Sequence, residues 1–494
     1  MKRRFALLVL SLSLCIAVSC PARGNLADDI DAVLQDPLLS RANLGVDIVR
    51  LGRSAADATN VYQMNSTLAL IPASNLKVIT TSAALDRLGA GFKFRTLLLL
   101  HDGNLILIGD GDPTLGDAEL LKKVGWSVDT VFKTWAAGLL QRHIAAHDLL
   151  VDDSVFDEQF LHDSWPADQV DKRYVAEIAG LNLNANCIDV YVQPHGIGQL
   201  VGFRTDPATR YVSIRNNCIG GDDNAIWLGR QPGTVNDLVL RGKARTANDV
   251  PVSVTVHDPP MYAGTVLAET LRAGGVALSG AVRRDRAERA AYVHAAAAGD
   301  GSWTVLAMHE TPLASVIDRA NKDSMNLYAE CLCKRLGFAV SGAGTWASGT
   351  SAVGDFLQSL KIPSSQYTLD DGCGLSKHNA ISAQLMVRVL AHDFFSRDAE
   401  MWMQSLAVAG EDGTLADRFR GTDLRGRVIA KTGFVNGVSC LSGYLRAKDD
   451  AWYCFSIMFN GIPEGTNSGA KTLQERIVRA LDLHSVPQAQ AGAN

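Results

Sequence analysis

Ser74 and Lys77 stand three residues apart, at the start of a segment whose apolar spacing predicts a helix from Asn75 to Leu88. Side chains with this spacing share one face of a helix, about one turn apart. A serine hydroxyl is a poor nucleophile near neutral pH and needs a neighbouring base. A lysine can be that base where burial and nearby cations lower its pKa. The pair indicates nucleophilic catalysis, although Ser also caps helices and this spacing often arises by chance.

A second hydroxyl and a carboxamide come from Ser324 and Asn326, which flank Met325. This tripeptide lies in a short polar break between two predicted helices, Pro312–Asn321 and Leu327–Leu336. Ser and Asn are also ordinary capping residues. The tripeptide alone is therefore weak support for a catalytic site.

A third group, Lys431, Thr432 and Gly433, lies at the end of a predicted strand that begins at Arg427. Glycine at this place would let a substrate backbone approach closely. Lysine and threonine would offer a positive charge and a hydroxyl to a carboxylate. The sequence KTG is common by itself, so its weight comes from the other two elements.

The three elements occur in the order SxxK, SxN and KTG, which is typical of penicillin-binding proteins and β-lactamases. Each also has a suitable predicted setting: a helix start, a loop between helices and a strand. Their joint occurrence favours acyl-enzyme chemistry over a chance match. No GxSxG elbow occurs, which argues against a classical α/β-hydrolase.

Longer stretches resemble the low-molecular-mass class C penicillin-binding proteins, the S13 peptidase family of D-Ala-D-Ala carboxypeptidases. The family forms PASNxK, NKxSxNLYAE, DGSGLS, VAGxDGTL and KTGxxxGVSxLSGY are matched at residues 72–77, 321–330, 371–376, 408–415 and 431–444. Cys373 stands where the third form has Ser. GxGDP and DxSxFD are matched at residues 109–113 and 152–157. The resemblance extends from about Asn43 to Leu483.

For acylation, the resemblance and the chemistry together give each side chain a role. Ser74 attacks the carbonyl of the penultimate D-Ala and becomes the acyl-enzyme, while Lys77 takes its proton. Ser324 relays a proton to the leaving amine. Asn326 orients the substrate amide and Lys77.

The same reasoning assigns substrate binding to the third element. Lys431 and Thr432 hold the terminal carboxylate, and Gly433 belongs to the same substrate-binding strand. The backbone N–H groups of Ser74 and Phe434 are expected to form the oxyanion hole.

The implied function is a serine D-Ala-D-Ala carboxypeptidase or DD-endopeptidase that acts on peptidoglycan stem peptides. Its partners would be peptides ending in D-Ala-D-Ala and, as covalent inhibitors, β-lactam antibiotics; no cofactor is expected. A β-lactamase or an esterase on the same fold stays an alternative. A non-catalytic peptidoglycan-binding protein is a further alternative, against which the intact motifs argue.

The N-terminus predicts export. Lys2, Arg3 and Arg4 precede an apolar run, and small residues follow it, so residues 1–19 are typical of a signal peptide. The expected location is the periplasm or cell envelope. The residues before Cys20 resemble a lipoprotein cleavage box, although ordinary signal-peptidase cleavage explains them equally. Membrane association is expected only through lipid attachment at Cys20.

The composition bears on nucleic-acid binding, metal sites and disulfides. The 494 residues carry a formal net charge of −5, so no basic footprint for nucleic acid is present. Neither CxxC nor HExxH occurs, and the eleven histidines are scattered, so no metal is expected. Export permits disulfides, and Cys187 with Cys218 could form one. Cys331 and Cys333 are expected to be buried thiols.

The predicted elements divide the chain, with helix-rich ends around a strand-rich middle. We expect an α+β fold, in which a β-lactamase/transpeptidase-like domain with an antiparallel sheet flanked by helices is interrupted by a large β-rich insert. The catalytic domain is assigned to residues 25–94 and 293–487, the insert to 95–292 and a loose tail to 488–494. Leu68–Ile71 is predicted as a strand, and Gly337 as the end of the helix that begins at Leu327.

Overall fold

The computed structural model describes residues 25–231 and 234–485, so the predicted signal peptide, Cys20 and the tail at 488–494 lie outside the described residues. Within these ranges the α-helices are α1 (Leu26–Leu34), α2 (Leu76–Leu88), α3 (Ala118–Lys122), α4 (Thr130–Gln141), α5 (Pro259–Ala273), α6 (Glu288–Ala298), α7 (Leu313–Lys322), α8 (Asn326–Ser341), α9 (Trp346–Ser359), α10 (Ala383–Phe394), α11 (Ala399–Ser405) and α12 (Asn467–His484).

The described strands are β1 (Asn43–Arg50), β2 (Thr59–Met64), β3 (Lys93–His101), β4 (Asn104–Ile108), β5 (Ala145–Ala146), β6 (Leu149–Asp152), β7 (Cys187–Gln193), β8 (Gly202–Asp206), β9 (Ser213–Gly220), β10 (Ala225–Arg230), β11 (Asp237–Ala244), β12 (Val252–Thr255), β13 (Ala277–Leu278), β14 (Val282–Arg284), β15 (Thr304–Pro312), β16 (Tyr367–Thr368), β17 (Ala380–Ile381), β18 (Ala407–Val408), β19 (Val428–Val435), β20 (Val438–Arg446) and β21 (Trp452–Asn460).

A six-stranded antiparallel sheet joins the two ends of the chain, in the order β18-β19-β20-β21-β1-β2. Strands β20 and β21 are buried along almost their whole length because helices cover both faces. Their side chains alternate between two cores, as the period of a strand requires. Tyr444 and Met458 join the core that contains α10, and Leu441 and Ile457 join the core that contains α1 and α12.

Helix α2 lies at the centre of the helical layer on one face of this sheet. Its first ten residues, from Leu76 to Leu85, are all buried, and α7, α8, α9 and α10 surround it. A helix buried on every side can carry a lysine only at a high desolvation cost. The prediction of an α+β fold, with an antiparallel sheet flanked by helices, is confirmed.

The remaining larger sheets lie in the middle of the sequence. One has five strands in the order β14-β6-β4-β3-β15, and two have three strands each, β10-β11-β9 and β12-β7-β8. Strand β15 at Thr304–Pro312 pairs with β3, so the five-stranded sheet extends past the predicted boundary at residue 292. The division into a catalytic domain and an insert stays a prediction.

Two local predictions are wrong. Leu68–Ile71 is not a strand, because only Leu70 pairs, through a single bridge to Ile381. Helix α8 does not end at Gly337 but continues to Ser341. A Cβ on Gly337 would lie 2.2 Å from the Ser348 hydroxyl, so this glycine permits close packing of α8 against α9.

The described cysteines, including the candidate pair Cys187 and Cys218, are free and buried. Cys331 and Cys333 are fully buried, as predicted. None of the described helices has both the length and the apolarity needed to cross a membrane.

Candidate active site

The three sequence elements meet between α2, α8 and β19. The Nζ of Lys77 lies 2.9 Å from the Ser74 hydroxyl and 2.7 Å from Oδ1 of Asn326. The Nζ of Lys431 lies 2.8 Å from the Ser324 hydroxyl. The structure thus brings together two lysine–serine pairs, with each lysine fully buried and each serine partly exposed.

Ser74 lies in a short 3₁₀ turn, Ala73–Asn75, that leads directly into α2. Ala73 has φ of 47°, a left-handed conformation that is costly for a residue with a Cβ. Two glycines pack against this turn, one from the DGCGLS stretch and one from the KTG element. A Cβ on Gly374 would lie 1.9 Å from the Ala73 carbonyl oxygen, and one on Gly433 would lie 2.5 Å from the Pro72 carbonyl oxygen. Gly433 therefore has a structural reason to be glycine, in addition to the predicted approach of substrate.

Lys77 is surrounded by oxygen acceptors. Besides Ser74 and Asn326, its Nζ donates a hydrogen bond of 2.8 Å to the backbone carbonyl of Cys373. Burial lowers the pKa of Lys77, and the negative charges of Asp371 and Glu330 oppose that shift. An ammonium group can donate to all three oxygens, and burial shifts its equilibrium toward the neutral amine, whose lone pair can accept the Ser74 proton as a general base does.

Cys373 replaces the Ser of the family form, and the structure shows which of its atoms matters. The contact to Lys77 comes from its backbone carbonyl, not from its side chain. The thiol is fully buried, 3.8 Å from a carboxylate oxygen of Asp371, and burial raises its pKa well above the ordinary value. The replacement of Ser by Cys leaves the lysine contact intact.

Ser324 is held in a left-handed conformation, with φ of 59°. Arg319 stabilises this break between α7 and α8 through ion pairs. Its guanidinium donates to Asp323 at 2.6 Å and to both oxygens of Asp117 at 3.1 and 2.8 Å. Tyr328 also donates to Asp117, at 2.5 Å. A buried ion pair therefore fixes the loop that presents Ser324.

Lys431 has fewer partners than Lys77. Its Nζ donates to the Ser324 hydroxyl and, at 2.9 Å, to the Thr432 carbonyl. Burial and the charge of Lys77 lower the pKa of Lys431 well below its ordinary value. Thr432 is partly exposed beside it, and Phe434 is exposed on the same strand. The predicted oxyanion-hole role of the Ser74 and Phe434 N–H groups stays a prediction.

Sequence reasoning missed the backbone groups that hold the site. The carboxamide of Asn326 donates 2.7 Å to the carbonyl of Tyr174, which lies in a 3₁₀ turn, Arg173–Val175, far from the motifs in sequence. The Cys373 carbonyl was likewise missed, although the DGCGLS stretch marked its neighbourhood. A carbonyl contact leaves no residue-type signal for a pattern to detect.

Glu330, Asp371 and Cys373 form a buried group with the spacing of metal ligands. Their surroundings do not suit a cation, because N–H groups point at the carboxylates. Glu330 accepts from the backbone N–H groups of Gly372 and Cys373 and from the Trp346 indole. The donors to Asp371 are Trp165, Gly374, Ser376 and Asn379.

Comparison with known proteins agrees with this geometry. The model of the D-Ala-D-Ala carboxypeptidase 3 (S13) family matches residues 26–482. A D-alanyl-D-alanine carboxypeptidase of Actinomadura sp. is 32% identical over 95% of this chain and 86% of its own length. The carboxypeptidase DacB of Haemophilus influenzae is 26% identical over 82% of this chain and 83% of its own length.

Among solved structures, penicillin binding protein 4 (dacB) from Haemophilus influenzae matches with a TM-score of 0.72 and 24% identity. The match covers 92% of this chain and 99% of that one. The two chains therefore share one fold over nearly their whole length.

Proposed function

Because the chain belongs to the D-Ala-D-Ala carboxypeptidase 3 (S13) family and is a serine-type carboxypeptidase, we propose that it cleaves peptidoglycan stem peptides. The reaction passes through an acyl-enzyme on Ser74. The observation that carries the proposal is the 2.9 Å contact between Ser74 Oγ and the Nζ of a fully buried Lys77. A neutral amine at that distance can take the hydroxyl proton.

The acylation step then follows. Ser74 Oγ bonds to the carbonyl carbon of the penultimate D-Ala while its proton passes to Lys77. The amide C–N bond breaks, and Ser324 relays the proton held by Lys77 to the leaving nitrogen, so that D-alanine departs as the free amino acid and Lys77 is neutral again. Lys431 and Thr432 hold the terminal carboxylate during this step. Water hydrolyses the Ser74 ester and restores the serine.

A β-lactam would react at the same serine. Ring opening forms the same ester bond, but the leaving nitrogen stays attached to the bound product. Between Asn326 and Lys431 the glutamates are Glu330, Glu400 and Glu411, none in an ExxLN element. Both Glu330 oxygens accept N–H groups, and Glu411 is half exposed. The adduct should therefore outlast many turnovers of peptide.

The experiment compares purified protein with Ser74→Ala. We expect fluorescent penicillin to label Ser74 alone, as located by peptide mapping, and a D-Ala-D-Ala peptide to release D-alanine. The variant should do neither, because it lacks the nucleophile. Mass spectrometry of fragments released from whole peptidoglycan separates carboxypeptidase from endopeptidase cleavage.

Two results would contradict the proposal. Label at another residue, or an unchanged yield in Ser74→Ala, would remove Ser74 as the nucleophile. Repeated rapid turnover of penicillin, without release of D-alanine from peptide, would favour a β-lactamase.

We also infer that the protein acts outside the cytoplasm, since its proposed substrate is the cell wall and residues 1–19 are typical of a signal peptide. Labelled palmitate would be incorporated at Cys20 if the lipoprotein-like box is used. Export without the label would indicate ordinary cleavage.

A further inference from the structure

Glu330 lies one helical turn after Asn326 on α8, so that the two side chains share a face. Asn326 contacts Lys77 directly, whereas Glu330 is fully buried behind it. One Glu330 oxygen accepts from the Cys373 N–H at 2.6 Å and from the Gly372 N–H at 3.0 Å. The other accepts from the Gly372 N–H at 3.0 Å and from the Trp346 indole at 2.7 Å.

These N–H groups belong to the backbone segment that holds the lysine. The carbonyl of Cys373 accepts from Lys77 at 2.8 Å, and the carbonyl of Gly372 accepts from the Thr80 hydroxyl at 2.6 Å. The segment is thus fixed by α8 on its N–H side and by α2 on its carbonyl side. A Cβ on Gly372 would lie 2.6 Å from the Cys333 Cβ, which shows how tightly the segment packs.

We propose that Glu330 is a positioning residue for acylation: its carboxylate fixes the segment at residues 372–373, so that the Cys373 carbonyl keeps the Lys77 amine beside Ser74. This inference rests on the proposed roles of Ser74 and Lys77. Glu330 does not touch the reacting atoms and acts only through the backbone of Cys373.

The ionised carboxylate suits this place because it accepts from the N–H groups of Gly372, Cys373 and Trp346, and the Cys373 thiol is a further donor. A protonated acid would turn an O–H toward one of these donors. Burial raises the pKa of Glu330 to about 7, so the ionised form is lost just below neutral pH. The other titratable groups that face Glu330 and Lys77 are Asp371, Cys331, Cys333, Cys373, Lys334 and Lys431.

The test is Glu330→Gln, which keeps the size of the side chain but replaces one acceptor oxygen by an amide donor. In either orientation of the amide, at least one N–H group loses its acceptor. We expect acylation to slow about 10- to 100-fold, since a small misplacement of a reacting group can cost about 10²-fold. The reporter is an ester substrate without a terminal carboxylate, so that Lys431 gains no partner.

The pH profile separates this role from a merely structural one. The Glu330 charge raises the pKa of Lys77, and its removal lowers that pKa. Because acylation needs neutral Lys77, the acidic limb of the rate profile should move to lower pH in Glu330→Gln. A slower variant with an unmoved limb would overturn the inference, and so would an unchanged rate.

Glu411→Gln is the matched control, because it makes the same chemical change at a half-exposed carboxylate whose nearest cation, Arg425, lies 4.0 Å away. It should leave both the rate and the limb unchanged; equal shifts in the two variants would count against the inference. Failure of the wild type to acylate Ser74 would instead refute the proposed function itself.

Trp346→Phe provides a second test of the inference if Glu330→Gln does not fold. It removes the indole N–H together with one ring of the buried indole and keeps an aromatic ring at this place. The lost donor raises the pKa of Glu330 further, since that hydrogen bond lowers it. Glu330 is then protonated over a wider pH range and its charge raises the pKa of Lys77 less, so the acidic limb should move to lower pH, as in Glu330→Gln, but by less. A limb that stays in place would contradict the inference.

Discussion

Lys77 and Lys431 are both fully buried lysines, yet their surroundings differ. Lys77 donates to three oxygens, of Ser74, Asn326 and Cys373, and the charges of two nearby carboxylates act on it. Among the described residues, Lys431 donates only to the Ser324 hydroxyl and the Thr432 carbonyl. Burial lowers the pKa of both amines, and the charge of Lys77 lowers the pKa of Lys431 further.

The difference shows that Lys77 has its partners within the protein, whereas Lys431 still lacks, in the described part of the chain, a counter-ion that substrate could supply. The contacts of Lys77 are complete within the described chain, so its position and protonation are set before substrate arrives. Lys431 has no carboxylate within ion-pair distance among the described residues. A buried cation without a counter-ion is costly, and the terminal carboxylate of the substrate can supply one. The proposed base is therefore preorganised, whereas the proposed carboxylate site is completed by substrate.

Replacement of Lys77 should have the largest effect. In Lys77→Met the side chain keeps its length but loses the amine, so Ser74 loses its base. We expect acylation to fall roughly 10²- to 10⁴-fold, the usual contribution of a general base. Stopped-flow measurement with fluorescent penicillin gives the rate, and thermal unfolding checks the fold.

The control is Lys448→Met, which removes a lysine paired with Asp423 outside these contacts. It should acylate at the wild-type rate. A loss below about tenfold in Lys77→Met, short of the usual range for a base, would mean that another group takes the Ser74 proton.

The two lysines could be identified from sequence because each has a fixed spacing to a serine or threonine. The carbonyls of Cys373 and Tyr174 that orient Lys77 and Asn326 could not, because any residue carries a carbonyl. Their position depends on how segments distant in sequence pack. Glu330 was visible in its motif, but only the structure shows that it binds backbone N–H groups.

The fold was predictable where pattern and packing agree. The helix predicted at Asn75–Leu88 is α2, Leu76–Leu88, and the strand predicted to begin at Arg427 is β19, which begins one residue later at Val428. Helix α5 at Pro259–Ala273 was missed inside a strand-rich region, although Asp258 followed by two prolines is a helix-start signal. Strand β2 at Thr59–Met64 lies at a sheet edge and is mostly exposed, so it lacks a clear apolar alternation.

Replacement of Lys431 should have a smaller, selective effect. Lys431→Met removes the proposed partner of the terminal carboxylate but leaves Lys77 and Ser74 in contact. A hydrogen bond to a charged group contributes about 1.5–3 kcal/mol, so kcat/KM for peptides with a free carboxylate should fall roughly 10- to 150-fold. An ester of the same acyl group with a neutral leaving group should lose much less.

The comparison between the two substrates is its own control, since both need the same Ser74 and Lys77. Equal losses on both would show that Lys431 does not bind the carboxylate. Such a result would place Lys431, like Lys77, among the groups that act on the serine.

The smallest expected effect is the uptake of protons when substrate binds, which directly tests whether Lys431 or Lys77 gains the substrate carboxylate as a partner. Because the pKa of Lys431 lies well below its ordinary value, the free enzyme carries less than a full proton there as the pH rises. An arriving carboxylate raises that pKa, so binding should take up a fraction of a proton. Titration calorimetry of a D-Ala-D-Ala peptide into inactive Ser74→Ala should give binding enthalpies that depend on the ionisation enthalpy of the buffer.

Because the substrate carboxylate raises the pKa of Lys431, the proton uptake should depend on pH in a defined way. Uptake should vanish below the pKa of Lys431 in the free enzyme, where the amine is already charged, and again above its higher pKa in the complex. Between the two pKa values uptake should reach its maximum, and affinity for the carboxylate should fall as the pH rises. Ser74→Ala with Lys431→Met should show no uptake, whereas Ser74→Ala with Lys77→Met should retain it at higher pH, because the charge of Lys77 lowers the pKa of Lys431. Uptake that follows Lys77 instead would reverse the assignment, because the lysine completed by substrate would then be the one beside the nucleophile.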